Sequence, residues 1–354
     1  MFGERLLRAR KSAGLSMQAL ADQVGVSATM INKYEKGQSN PGSKVLILLS
    51  KALGVRSEYF FRPVKVRLEG VEYRKRASTP KKLLNRIEAD VLDQAERWQV
   101  LADLYPNFPL PDFKLPKGIA SEVTSLEQVD EVAYQLRDGW DLGRNPIPEL
   151  IDLLEARGIL VIITGVDDLK KFDGLQASVA GKPFVVVSEH WSGDRQRFTL
   201  AHELGHLVLH GRLGQVLDEE QACNRFASAF LLPENGLRQQ LGDRRHNLEV
   251  QELYLLKHEY GISMAACLYR ASDLGIIDNE LRRKCFISFR QRGWHQREPG
   301  DAYPKEESQL FTQLVYRALG EGIIGESKAA ELLKMPLMQF HRQRNLESVD
   351  AVAG

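Results

Sequence analysis

The stretch Thr199-Leu-Ala-His-Glu-Leu-Gly-His-Leu-Val-Leu-His210 constrains this chain more tightly than any other. Phe198, Leu200, Ala201, Leu204, Leu207 and Val208 give it apolar flanks, so the helix it forms belongs inside a core. Polar side chains buried in such a helix need a purpose. His202 and His206 are four residues apart, on one helical face, so both imidazoles can reach one metal ion. Glu203, beside the first of them, is placed to act as general base on a water held by that ion. Zinc suits such a site: it accepts nitrogen and carboxylate donors, keeps a position for water, lowers that water's pKa and polarises a carbonyl.

Two imidazoles need a third donor. The run Asp218-Glu-Glu-Gln-Ala-Cys-Asn-Arg-Phe-Ala-Ser-Ala-Phe-Leu-Leu-Pro233 reads as a second helix, packed against the first through Cys223, Phe226, Ala227 and Phe230. Glu220 and Asn224 share a face one turn apart, so Glu220 can bind the metal while Asn224 supports a ligand from behind. Two alternatives stand beside Glu220. One is Glu219, a register one residue off. The other is His210, roughly 80° round the helix from His202, where an imidazole also gains from the helix dipole.

The first quarter of the chain has a different character. Residues 1–86 hold 18 Lys and Arg against 6 Asp and Glu, while the remainder holds 30 against 41. A basic end on an acidic body points to a polyanion as partner. Short helical patterns alternate there with tight breaks. A first helix through Leu6, Leu7 and Arg10 stops at Gly14. Ser16 caps a second, with Leu20, Ala21 and Val24 inward, and Gly25 supplies a sharp turn. Ser27 caps a third, with Ile31 and Tyr34 inward, ending at Gly37. Segments Ser43–Leu53 and Ser57–Phe61 complete five helices. Helix, glycine turn and short helix make a helix-turn-helix, whose third helix offers Ala28, Thr29, Asn32 and Lys33 to the major groove of double-stranded DNA. Asn32 suits an adenine edge and Lys33 guanine or phosphate. Ser16-Met-Gln18-Ala-Leu-Ala, Val24-Gly-Val-Ser27 and Ile31-Asn-Lys-Tyr-Glu-Lys-Gly37 resemble the lambda-repressor-like (Cro-type, XRE) family over about 60 residues. The resemblance implies DNA contacts from Ser16, Gln18, Ser27, Ala28, Thr29, Asn32 and Lys33, and a homodimer reading two half-sites.

Between these regions, Val64–Leu68 alternates like a strand, and Tyr73-Arg-Lys-Arg-Ala-Ser-Thr-Pro80 reads as a basic, turn-like tether. Lys81–Leu104 is a long amphipathic helix, and Pro106, Pro109, Pro111 and Pro116 then break the chain. Leu126–Leu136 and Pro148–Arg157 read as helices and Gly158–Thr164 as a buried strand. Leu175–Val179 and Pro183–Ser188 flank Gly181-Lys182 as a hairpin. The strand before the zinc helix, Pro183–Ser188, is expected to be an edge to which an extended peptide adds. Leu237–Tyr260 and Ser263–Leu274 are amphipathic helices, with Tyr254 and Tyr260 as candidates for the core or for assisting catalysis. Residues 308–342 hold two or three more helices.

Cys223, Cys267 and Cys285 match neither a disulfide framework nor a CxxC site, so they read as apolar thiols in a reducing cytosol. No apolar run approaches the ~18 residues of a membrane span. The expected location is cytoplasmic, with no membrane partner.

His202-Glu-Leu-Gly-His-Leu-Val-Leu-His followed by Glu220-Gln-Ala-Cys-Asn-Arg-Phe-Ala-Ser-Ala-Phe-Leu-Leu-Pro resembles the ImmA/IrrE family of zinc metallo-endopeptidases, closely over residues 150–270 and loosely beyond. Cys223 departs from the alanine common there. The resemblance implies His202, His206 and Glu220 as zinc ligands and Glu203 as catalytic base. It also implies an α+β fold of four parts: a five-helix lambda-repressor-like domain over 1–62, a connecting segment with a long helix over 63–118, a zincin-like domain over 119–275 and a helical extension over 276–354. The expected function is a DNA-binding regulator with a zinc endopeptidase domain, cleaving a repressor- or antitoxin-like protein. The alternative is a regulator that senses a ligand or partner through the metal domain without cleaving it.

Overall fold

The computed structural model describes residues 2–61, 69–75, 80–166, 172–179 and 181–347. The strand expected over Val64–Leu68 and the end of the basic tether, residues 76–79, lie outside the described residues.

The N-terminal module has four α-helices, α1 (Phe2–Ser12), α2 (Met17–Val24), α3 (Ala28–Glu35) and α4 (Ser43–Leu53), and a short 3-10 turn, Ser57–Phe61, in place of a fifth α-helix. Leu6, Leu20, Ala21, Ile31, Leu49 and Phe60 form its small core. Long helix α5 (Lys81–Leu104) follows strand β1 (Glu69–Lys75) and meets the module directly: Arg5 and Arg8 of α1 both pair with Glu96.

The second region is built on a four-stranded sheet in the order β1-β3-β4-β2. Strand β2 (Leu160–Thr164) runs parallel to β4 (Lys182–Ser188), while β3 (Phe172–Val179) is antiparallel to both β4 and β1. Side chains alternate between the two faces as strand geometry requires. Val161, Val185 and Val187 enter one core; Leu160, Ile162, Phe184, Val186, Leu175 and Ala177 enter the other.

The first core is covered by α6 (Leu126–Gly139), α7 (Leu150–Ala156), α8 (Gly193–Leu209) and α9 (Glu219–Leu231), with α10 (Glu234–Leu241), α11 (Val250–Tyr260), α12 (Met264–Asp273) and α13 (Asn279–Gln291) behind them. The second core is closed by α5 with α14 (Leu310–Gly320), α15 (Glu326–Leu332) and α16 (Leu337–Arg344). Tyr105 donates to the carbonyl of Leu314 at 2.6 Å and Arg97 to that of Leu332 at 3.0 Å. Asp90 accepts from Thr164 of β2 at 2.8 Å. The helix that reads as a connector and the C-terminal helices therefore form one layer on the sheet.

Two strand expectations are corrected. Strand β4 is not an edge: β3 and β2 pair with it on either side. Tyr73-Arg-Lys75 is not a turn but the end of β1, paired with β3. Hydrophobic alternation reports which face a side chain takes, not which strand lies alongside.

Candidate metal centre and helix-turn-helix

Helix α8 begins at Gly193, and its start is held from the C-terminal side. The amide of Gly193 donates to the carbonyl of Tyr303, and a Cβ on Gly193 would collide with the carbonyl of Pro304. One turn on, Arg197 is fully buried; it pairs with Glu306 and donates to the carbonyl of Ile147 at 2.7 Å.

Helix α9 is set just as firmly. Asp130 of α6 accepts from Arg225 of α9 at 2.7 and 2.8 Å and from Arg270 of α12 at 2.8 Å. Asp218 caps α9, accepting from Gln221 N at 2.7 Å. Gly205 lets α8 and α9 approach closely, because a Cβ there would stand 3.3 Å from Cys223 Cα and 3.2 Å from Phe226. The cysteine that departs from the resemblance thus lies fully buried in the seam between the two helices.

That approach gathers the polar residues. His202 Nε2 and His206 Nε2 are 3.1 Å apart, and the Glu220 carboxylate lies 3.5 Å from the first and 3.6 Å from the second. Ligands about 2.0–2.1 Å from a tetrahedral zinc stand about 3.3–3.4 Å from one another; the two imidazole nitrogens are near that spacing, and Glu220 reaches them with different oxygens, Oε2 toward His202 and Oε1 toward His206. Their donor atoms lie within 4.8 Å of one another, and among the described residues they are the group that could hold a metal ion.

The outer nitrogens are also held. His202 Nδ1 meets Asn224 Oδ1 at 3.0 Å, and His206 Nδ1 meets Glu219 Oε1 at 3.1 Å. Each acceptor selects the tautomer with hydrogen on Nδ1, which turns the Nε2 lone pair inward. The two adjacent glutamates therefore stand differently: Glu220 faces the pair of Nε2 atoms, and Glu219 supports His206 from outside. His210 ends α8 as its exposed C-cap, apart from the cluster. Tyr260 belongs to the core.

Residues 154–272 match the family model described as the IrrE N-terminal-like domain, and residues 6–60 match the one described as helix-turn-helix. The chain couples a helix-turn-helix, DNA-binding domain to an IrrE-like domain. Relatives include an uncharacterized HTH-type transcriptional regulator from the SPbeta prophage of Bacillus subtilis, 42% identical over 62 residues, covering 18% of this chain and 57% of that protein. Another is a Pyrococcus furiosus protein whose name describes an HTH-type transcriptional regulatory protein, 32% identical over 168 residues, 45% of this chain and 47% of that protein. The chain thus spans about half the length of the curated relatives it matches.

In the IrrE-like domain, sequence reasoning missed Gly174. A Cβ there would stand 2.6 Å from Thr199 Cγ2 and 3.3 Å from Glu203 Oε1, so β3 lies directly on the helix carrying Glu203. A glycine inside an apolar strand is the signal that would have found it. Glu203 itself is buried. A cavity of about 910 Å³ runs from Thr199 and Asn224 past Trp191 and Phe198 to Trp294. Its far wall is pinned by Glu298, which pairs with Lys257 at 3.0 Å and accepts from the first amides of α12 at 3.0–3.1 Å. Among the described residues no helix is long and apolar enough to cross a membrane.

In the helix-turn-helix domain, Ser16 Oγ accepts from Ala19 N at 3.0 Å and Ser27 Oγ from Met30 N at 3.2 Å, so both serines serve as N-caps. Gly25 takes the left-handed conformation (φ 70°) between α2 and α3. Gln18 donates to Asp22 at 2.7 Å. Thr29 and Lys33 are exposed, Asn32 is half-buried, and Ala28 packs partly against the small core rather than standing clear. The basic surplus is partly spent internally: Arg10 makes a bidentate pair with Glu35 at 2.5 and 2.9 Å, in addition to the Arg5 and Arg8 pairs with Glu96. Lys33, Lys36, Lys44, Lys51 and Arg56 remain exposed.

Proposed function

We propose that this chain is a DNA-binding transcription regulator whose IrrE-like domain is a zinc endopeptidase acting on a repressor- or antitoxin-like protein. The observation that carries this reading is the cluster of His202, His206 and Glu220, with donor atoms within 4.8 Å of one another, and Glu203 beside the two histidines on α8. When bound there, zinc supplies Lewis acidity to a substrate carbonyl and to water. Glu203 takes the proton from that water and delivers it to the leaving amine. Asn224 and Glu219 keep the two imidazoles facing inward.

The DNA contacts come from the exposed face of α3, with Thr29, Asn32 and Lys33 at the groove, Gln18 on α2, and the Ser16 and Ser27 caps fixing the turn. The names of the relatives favour a second reading, in which the metal domain senses a partner and regulation needs no cleavage.

Co-expression with the proteins encoded beside its gene separates the two. Under the first reading, the wild-type chain yields zinc-dependent fragments of a partner, and Glu203→Gln yields none while retaining zinc. Fragments that persist with Glu203→Gln would sink the mechanism. DNA binding that survives chelation, with no fragment from any partner, establishes the second reading.

A further inference from the structure

Strand β1 comes from the tether between the helix-turn-helix and α5, yet it is the outermost strand of the IrrE-like domain's sheet. It pairs antiparallel with β3, setting Glu72 opposite Gln176, Tyr73 opposite Leu175 and Arg74 opposite Gly174. The other edge of β3 is taken by β4, so β1 covers the edge that remains. Gly174 is the residue that brings β3 against Thr199 and Glu203 of α8. The backbone at Arg74 is therefore one strand spacing, about 4.8 Å, from the strand that lies on the catalytic base. A sheet edge is the general means by which a protein holds an extended peptide, through main-chain hydrogen bonds.

The pairing is also irregular. Its register shifts between Glu69 and Glu72 and again between Arg74 and Lys75. Each shift interrupts the ladder, so β1 forms fewer main-chain bonds than a regular strand of its length. A peptide in continuous register has more to gain from the same edge.

We propose that Glu69–Lys75 is an internal occupant of the peptide-binding edge: the tether adds itself to β3 where an extended substrate would be offered to Glu203, and the two exclude each other. Describing the competitor as a substrate rests on the peptidase reading above; the exclusion rests on strand pairing alone. Since the tether begins just after the helix-turn-helix, the placement of the DNA-binding domain and access to the metal site become linked.

The test uses full-length, zinc-loaded protein carrying Glu203→Gln, so that nothing is cut, and a fluorescein-labelled peptide with the sequence of residues 69–75. Val71→Pro with Tyr73→Pro removes two donors from β1 and breaks it. Glu72→Cys with Gln176→Cys ties β1 to β3. By fluorescence polarisation, the proline variant should bind the peptide about tenfold tighter than its parent, because the competent edge is no longer mostly filled. The cross-linked variant should bind it more weakly than the parent, and reductant should restore parental binding. Equal binding by all three proteins overturns the proposal. If the proline variant has lost zinc and its fold, the cross-linked variant decides alone, and affinity unchanged by reductant overturns it. With Glu203 restored, binding of the peptide without cleavage counts against the peptidase reading and leaves strand exclusion intact.

Discussion

The helix-turn-helix and the candidate metal centre keep their polar side chains on opposite terms with water. In the first, Gln18, Thr29 and Lys33 stand in solvent on helices aimed by Ser16, Gly25 and Ser27. In the second, His202, Glu203 and His206 are almost wholly buried, and each histidine is oriented by an acceptor on another helix. A reader of DNA needs accessible groups and few internal constraints. A site able to hold a metal ion needs its groups held in place before the ion arrives, and burial makes every unmet polar atom costly. Substitutions should therefore act on binding in the first region and on chemistry, metal affinity and folding in the second.

The largest expected effect is on chemistry. Glu203→Gln should lower cleavage by about 10²–10⁴-fold, the range for a lost general base, with zinc content by metal analysis unchanged. Loss of zinc in that variant would make Glu203 a structural residue and blur the contrast.

Next comes a buried group of the same region remote from the metal. Glu155 of α7 is buried and accepts from Ser308 Oγ at 2.7 Å, while its Oε2 has no hydrogen-bond partner among the described residues. Burial pushes its carboxyl up to about 7. The folded protein thus binds this proton more tightly than the unfolded chain. The stability it confers is complete below the usual glutamate range and is lost as pH rises through about 7. Glu155→Gln should remove that loss, leaving the variant more stable than wild type at pH 8 by about 3 kcal/mol or less. Thermal melts at pH 5 and pH 8 check this: an equal pH response in both proteins refutes it.

Asn224→Ala should weaken zinc binding by about 10–100-fold, measured against a chelating dye. Glu219→Ala should fall in the same range, whereas Glu220→Ala should abolish binding. If Glu219→Ala is the more damaging of the two, the ligand and its supporter have been exchanged.

The smallest effect lies in the exposed region. Ser27→Ala should cost about 1 kcal/mol of stability through loss of the α3 cap. Lys33→Ala should reduce the salt dependence of DNA binding by about one phosphate contact. An effect of either on zinc affinity would show that the two regions are less separate than their burial suggests.

What could be read in advance divides along the same line. The caps Ser16 and Ser27, the glycine turn and the full span of α5 depend on local chemistry, and the structure places them where the residues indicate. That His202, Glu203 and His206 come together on one buried helix was legible because helical spacing alone puts them there. The choice between Glu219 and Glu220 was not, since it depends on the rotation of α9 set by Asp130 with Arg225 and Arg270, residues distant in sequence. Neighbour order in the sheet was equally hidden. Three basic residues in Tyr73-Arg-Lys-Arg look solvated, and nothing local announces that a tether will close a sheet edge. The second core was missed for a related reason: α5 and α14–α16 are separated by two hundred residues that fold between them.

The pair formed by Arg197 and Glu306 fixes how this protein can be cut down. All three prospective ligands lie within residues 154–272, and a fragment of that span would look complete on paper. It would leave the guanidinium of Arg197 without its carboxylate, one turn before His202, and strip the cover from Gly193. An IrrE-like domain with α8 held as described therefore extends beyond Glu306, and a gene shortened before that codon would encode His202 and His206 on a helix without that anchor.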